Sequence, residues 1–139
     1  MKRTTLNRAY GDFFGKEQWE HYSTLTYKFA VSINRNRIEM DKLTKYFKKQ
    51  VATFSIIWVC EWHTTGTSTH SHLLTKGVDV ALIDKYWSNR NLGYKKFNDH
   101  KVYERDKGAN FYMAKYIDKE IDYDIFISKD NQLQGLVLN

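Results

Sequence analysis

The sequence predicts an α+β fold, an antiparallel sheet of four to five strands with helices packed on it, in the ferredoxin-like or RRM-like manner. Three observations predict it. The strand-like and helix-like segments alternate in the order β-α-β-β-α-β-α, the commonest framework for a split βαβ sandwich. The 139 residues are 42% hydrophobic and 27% charged, a globular balance for one domain. Pro is absent, which removes Pro-rich linkers and polyproline segments.

Each element has a local reason. Residues 20–29 are rich in Thr and Tyr with alternating apolar positions, the pattern of a half-buried strand. From Arg37 to Val51, Met40, Leu43, Phe47 and Val51 recur at helical spacing with lysines opposite. Phe54 to His63 is strongly β-prone. The Thr/Ser/Gly stretch 64–69 should reverse the chain into a third strand from His70 to Thr75, ended by Gly77. Asp79 suits the N-cap of a helix that turns Val80, Ile83 and Trp87 inward. Gly93 interrupts that helix, and Lys95 to Glu104 reads as a fourth strand. After Gly108 a helix is expected from about Ala109 to Ile121. The tail holds material for a small hairpin, Ile125–Ile127 and then Leu133–Leu138. The expected organisation is a single domain over 1–139, with its core at about 20–121 and a C-terminal extension at 122–139.

Composition narrows the function classes. The single Cys60 forms no internal disulfide and no sulfur-based zinc site, which suits a reducing compartment. The most apolar run, Phe54 to Cys60, is far shorter than the roughly 20 residues a spanning helix needs. Asn7 and Arg8 stand where a signal peptide would be apolar. A soluble, cytoplasmic protein is expected. A net charge of +6, a pI near 9.3 and 16% aromatic residues suit a polyanionic partner such as nucleic acid, although a solvated basic surface has the same composition.

Two constellations carry chemistry. In a strand His70 and His72 share one face, and on the preceding strand Glu61 and His63 share one with Ile57 and Val59. If the strands pair through the turn at Gly66, Glu61 lies beside both histidines. Two imidazoles and a carboxylate then make a divalent-metal site with open positions. A buried carboxylate without such a partner is costly. His63 reads as a rim residue and His100 as an exposed strand residue. The second constellation is Tyr112, Lys115, Tyr116 and Lys119, which form one stripe of a helix at i, i+3, i+4 and i+7. Ala109, Met113, Ile117 and Ile121 form the core-seeking stripe. Phenols beside ammonium groups suit attack on a phosphodiester, while an ordinary amphipathic helix has the same spacing. Taken together, the two point to metal-assisted phosphoryl transfer through tyrosine.

The chain resembles the nuclease domain of HUH endonucleases, specifically the rolling-circle replication initiator (Rep) proteins of small viruses, phages and plasmids. Tyr22-Ser23-Thr24-Leu25-Thr26-Tyr27 is similar to the family's first motif. His70-Ser71-His72 matches the second, with Glu61 where many members carry the third ligand. Tyr116-Ile117-Asp118-Lys119 matches the Tyr-x-x-Lys third motif, and Tyr112-Met113-Ala114-Lys115 repeats it. The resemblance implies site-specific nicking of single-stranded DNA at a replication origin. It implies Mg²⁺ or Mn²⁺ on His70, His72 and Glu61. Tyr116 would be the nucleophile that forms a 5′-phosphotyrosine, Lys119 would orient the phosphate, and Tyr112 with Lys115 would be a second pair for strand transfer.

Two departures stand out. Ser71 occupies a position that is usually bulky and apolar, so one core contact is expected to be missing. No Gly-x-x-x-x-Gly-Lys motif is present, so unwinding would come from a separate helicase working with host replication machinery. A homodimer is left open. The rivals are a single-tyrosine transposase of the same superfamily and a non-catalytic single-stranded nucleic-acid-binding module.

Overall fold

The structure, a computed structural model, describes residues 17–63, 66, 68–104, 106, 113 and 122–128. Among these, five strands and two helices follow the chain as β1 (His21–Thr26), α1 (Ile33–Gln50), β2 (Ser55–Trp62), β3 (Thr69–Lys76), α2 (Val80–Asn89), β4 (Asp99–Val102) and β5 (Tyr123–Ile127). A short 3₁₀ turn at Lys95–Phe97 leads into β4. The strands form one sheet in the order β4-β1-β3-β2-β5, every neighbouring pair antiparallel. The expected antiparallel α+β architecture is therefore present, with the 4-1-3-2 order of a split βαβ motif at its centre. The helix expected at 109–121 and the second hairpin strand at 133–138 lie outside the described residues, apart from Met113.

α1 starts four residues before the expected Arg37, because Ser32 caps it. The Ser32 side chain accepts a bond from the Arg35 amide at 3.1 Å. Its buried stripe is Asn36, Glu39, Met40, Leu43 and Phe47, the 3.6-residue period of a helix lying on a sheet. Two polar members of that stripe hide the pattern from a purely apolar reading. Glu39 is held by Arg35 at 2.6 Å and Arg90 at 3.2 Å, which offsets the cost of a buried charge. α2 is capped by Asp79, as expected, and buries Ile83, Tyr86 and Trp87.

Both helices cover one face of the sheet. There Leu25, Ile56, Trp58, Cys60 and Leu73 meet Met40, Leu43, Phe47, Ile83 and Trp87. The opposite face carries a smaller cluster, Trp19, Ile57, Val59, Leu74 and Met113. β2 and β3 are thus sandwiched centrally and buried on both sides. Gly77 fixes the exit from β3: its φ is +80°, and a Cβ there would stand 2.6 Å from the Thr53 carbonyl oxygen.

Ser71 shows what stands in for the expected missing contact. It is fully buried on the helix side, where its hydroxyl donates to Asn36 Oδ1 at 2.8 Å. Tyr27 donates to the same oxygen at 2.7 Å. The missing apolar contact is replaced by a hydrogen bond to α1, which ties the histidine-bearing strand to the helix layer.

Candidate metal centre

Strand pairing assembles the site on the face away from the helices. In the β2/β3 register Glu61 is opposite His70, Val59 opposite His72, and Ile57 opposite Leu74. Directly opposed residues share a face, so the histidines and the carboxylate stand over the smaller cluster. The turn at Gly66, with φ +72°, sets this register. Its amide bonds to the His63 carbonyl at 2.8 Å, and the His63 amide bonds to the Ser68 carbonyl at 2.9 Å.

The three donor atoms converge. His70 Nε2 is 3.1 Å from Glu61 Oε1, His72 Nε2 is 3.6 Å from the same oxygen, and the two Nε2 atoms are 3.1 Å apart. Bonds of about 2.1 Å to one ion give ligand edges of roughly 3.0 Å in octahedral and roughly 3.4 Å in tetrahedral geometry. The observed triangle has those dimensions. Glu61, His70 and His72 are the group among the described residues whose donor atoms fit a metal ion. Two neutral imidazoles and one carboxylate leave the remaining coordination positions open for water or substrate.

Electrostatics favours ligation. Burial, with the neighbouring His72 and His63, pulls His70 down to about 4 against the pull of Glu61. Burial also lowers His72, again against Glu61. Both rings are therefore neutral near pH 7, with lone pairs available without deprotonation. His70 Nδ1 is buried without a hydrogen-bond partner among the described residues.

His72 is oriented from behind. The Tyr22 and Thr24 hydroxyls lie 3.0 and 3.1 Å from its Nδ1, and the Tyr22 ring stacks on it at 4° between planes. With Nε2 facing the other two donors, the Nδ1 proton goes to one of these hydroxyls. That fixes the tautomer a metal ligand needs. Tyr22 and Thr24 stand in the Tyr22–Tyr27 motif, which by itself does not reveal this task. The signal was present as their period-two spacing, which puts both on the face of His72.

The other predicted residues separate. His63 lies at the rim, as expected, its ring centroid 4.5 Å from that of His70. His100 is not an exposed strand residue. It bridges Ser23 Oγ at 2.7 Å and Asp84 Oδ1 at 2.8 Å on the helix side. Its side chain is shielded because β4 is held against α2. Ser23 is fully buried, so this Ser–His–Asp line serves as a structural tie with no reachable nucleophile. Tyr112, Lys115, Tyr116 and Lys119 lie outside the described residues. Met113 belongs to the expected core stripe and is fully buried among Trp19, Ile57, Val59 and Leu74.

No helix among the described residues is long and apolar enough to cross a membrane. Residues 20–121 match the family model of the replication-associated protein ORF2. Among curated proteins and among solved structures, none matches this chain.

Proposed function

The chain belongs to the replication-associated protein ORF2 family, and on that footing we propose that it is a metal-dependent, site-specific single-stranded DNA endonuclease and strand transferase that initiates rolling-circle replication. The observation that carries the reading is the Glu61–His70–His72 triangle, whose edges of 3.1, 3.1 and 3.6 Å suit one divalent ion with open positions. Mg²⁺ or Mn²⁺ bound there supplies Lewis-acid polarisation of a scissile phosphate.

The protein's own groups do the rest. Tyr116 is the nucleophile: its phenol oxygen forms a bond to phosphorus, its proton passes to solvent, and the phosphorus–O3′ bond breaks. The departing 3′-oxygen takes a proton and becomes a free hydroxyl, leaving a 5′-phosphotyrosyl linkage. A later 3′-hydroxyl reverses the step. Lys119 steadies the negative phosphate, and Tyr112 with Lys115 provides a second nucleophile and cation for strand transfer. Met113 supports this reading. It is buried on the face that carries the triangle, and three peptide units carry the chain at most about 11 Å from it to Tyr116. A separate helicase unwinds the duplex, and host replication machinery extends the free 3′ end.

The test is covalent capture. Protein, a randomised single-stranded DNA pool and Mn²⁺ are resolved on a denaturing gel beside Tyr116→Phe, Tyr112→Phe and an EDTA control. A metal-dependent shifted band lost in Tyr116→Phe is the expected result. Loss only in Tyr112→Phe moves the nucleophile, and no adduct from any arm favours a non-catalytic binding module.

A further inference from the structure

An aromatic and cationic patch on the segment entering β4 is not used by the chemistry above. Tyr94 and Phe97 are 53% and 58% exposed, and their rings meet edge-on with centroids 6.0 Å apart. Lys96 Nζ lies 5.1 Å from the Phe97 ring centre and 6.0 Å from that of Tyr94, while Lys28 Nζ lies 5.5 Å from Tyr94. No carboxylate among the described residues pairs with Lys28, Lys95 or Lys96. Large rings are costly to leave in water, and the ammonium groups beside them, Lys96 and Lys28 (which also donates to Asn91 Oδ1), suit an anion that is also flat and apolar.

The patch is firmly seated. A Cβ on Gly93 would stand 2.4 Å from the Thr26 carbonyl oxygen, the Lys28 amide bonds to the Leu92 carbonyl at 3.0 Å, and Asn98 Oδ1 accepts from the Thr26 amide at 3.4 Å. It also lies at the metal end of the sheet. Thr26 is opposite His70, and Thr24 is opposite both His72 and Asp99, the first residue of β4. Two strand spacings, roughly 10 Å, separate the entry to β4 from His72.

We infer that Tyr94 and Phe97, flanked by Lys28 and Lys96, form a stacking platform that grips the bases of single-stranded DNA next to the metal centre. Bases stack on the rings whatever their identity, and the ammonium groups meet the adjoining phosphates. The inference rests on the reading that this chain handles single-stranded DNA, yet binding is separable from cleavage.

The test is fluorescence anisotropy of a labelled 12-nucleotide oligo(dT) in EDTA, where no cleavage is needed. Tyr94→Ala and Phe97→Ala are each expected to weaken binding about 5- to 100-fold. Tyr94→Phe, which keeps the ring, should stay within about twofold of wild type. Ile38→Ala, an exposed apolar residue of α1, should bind as wild type does, and circular dichroism checks that each variant folds. Lys96→Ala should reduce the salt dependence of binding. Folded alanine variants that bind within twofold of wild type overturn the platform, as does an equal loss in Tyr94→Phe. Failure of wild type to bind oligo(dT) also overturns it, since stacking is tolerant of sequence. Loss of binding in the alanine variants alongside no covalent adduct keeps the platform and rejects the nickase.

Discussion

Removing the hydroxyls behind His72 tests the metal centre without touching a ligand. Tyr22→Phe keeps the ring stacked on His72, and Thr24→Val keeps the volume of the side chain. A neutral imidazole has one Nδ1 proton to donate, and two hydroxyl oxygens lie at 3.0 and 3.1 Å to accept it. Either single variant leaves one acceptor in place, so each should weaken Mn²⁺ binding only about twofold. The double variant takes both hydroxyls away from the Nδ1–H of a ring that is 7% exposed, where losing hydrogen bonds costs about 1–3 kcal/mol. The ring escapes that cost by moving its proton to Nε2, the atom needed for ligation. Mn²⁺ affinity should then fall about 10- to 100-fold, the range for loss of ligand-orienting partners. Titration calorimetry on all four proteins gives the coupling directly, and thermal melts in EDTA separate it from loss of fold. A double variant that binds Mn²⁺ within threefold of wild type would refute the reasoning. So would either single variant matching the double, since the hydroxyls would not then be interchangeable.

Other consequences follow from the same structure. Ser71→Ala removes the donor to Asn36 and should cost about 1 kcal/mol, read as a melting temperature about 3–5 °C lower; an unchanged melt would mean the bond contributes nothing net. Cys60 is fully buried and burial pushes its thiol up to about 11. At pH 8 its thiolate fraction is about 100-fold below that of an exposed thiol, so iodoacetamide should label the folded protein at least about 100-fold more slowly than the urea-unfolded chain. His70, held near 4 when folded against about 6.5 unfolded, binds its proton less readily in the native state. Its contribution to stability is therefore whole above about pH 6.5 and is lost as pH falls toward 4, with a slope of at most about 1.4 kcal/mol per pH unit. Denaturant titrations in EDTA should show this slope in wild type and a shallower one in His70→Gln; identical slopes would contradict it.

How much of this was legible in the sequence depends on which force placed each residue. The central strands were readable almost to the residue, β2 as Phe54–His63 against the observed Ser55–Trp62 and β3 as His70–Thr75 against Thr69–Lys76. Their β-branched and apolar runs are buried on both faces, so local propensity and tertiary demand agree. The triad was readable for the same reason. Period two puts His70 and His72 together, and a short turn puts Glu61 opposite. The first turn of α1 is not legible because its inward residue Asn36 is polar, and its side-chain oxygen is satisfied by Ser71 and Tyr27, partners outside the helix. The fourth strand was read too long, as Lys95–Glu104 against Asp99–Val102. Tyr94 and Phe97 carry strand-like character, but they spend it on exposed rings ahead of the sheet.

His100 shows why polar residues on an edge strand resist such reading. Alternation puts it on the face opposite Lys101 and Asp99, but alternation alone does not say whether that face is wet. What dries it is α2, whose Asp84 reaches both His100 and Asn98, at 2.8 and 2.9 Å. One carboxylate thus fixes the start of β4 from the helix side, while the Thr26 and Lys28 amides at the end of β1 hold Asn98 and Leu92 of the segment before it. The same contacts that made His100 illegible are what hold the segment carrying Tyr94 and Phe97 against the edge of the sheet. An Asp84→Ala change should therefore weaken oligo(dT) binding while leaving Mn²⁺ affinity within about twofold, because β1 lies between β4 and the strands that carry the triangle. Parallel anisotropy and calorimetry on that one variant would expose the error if both affinities fell together.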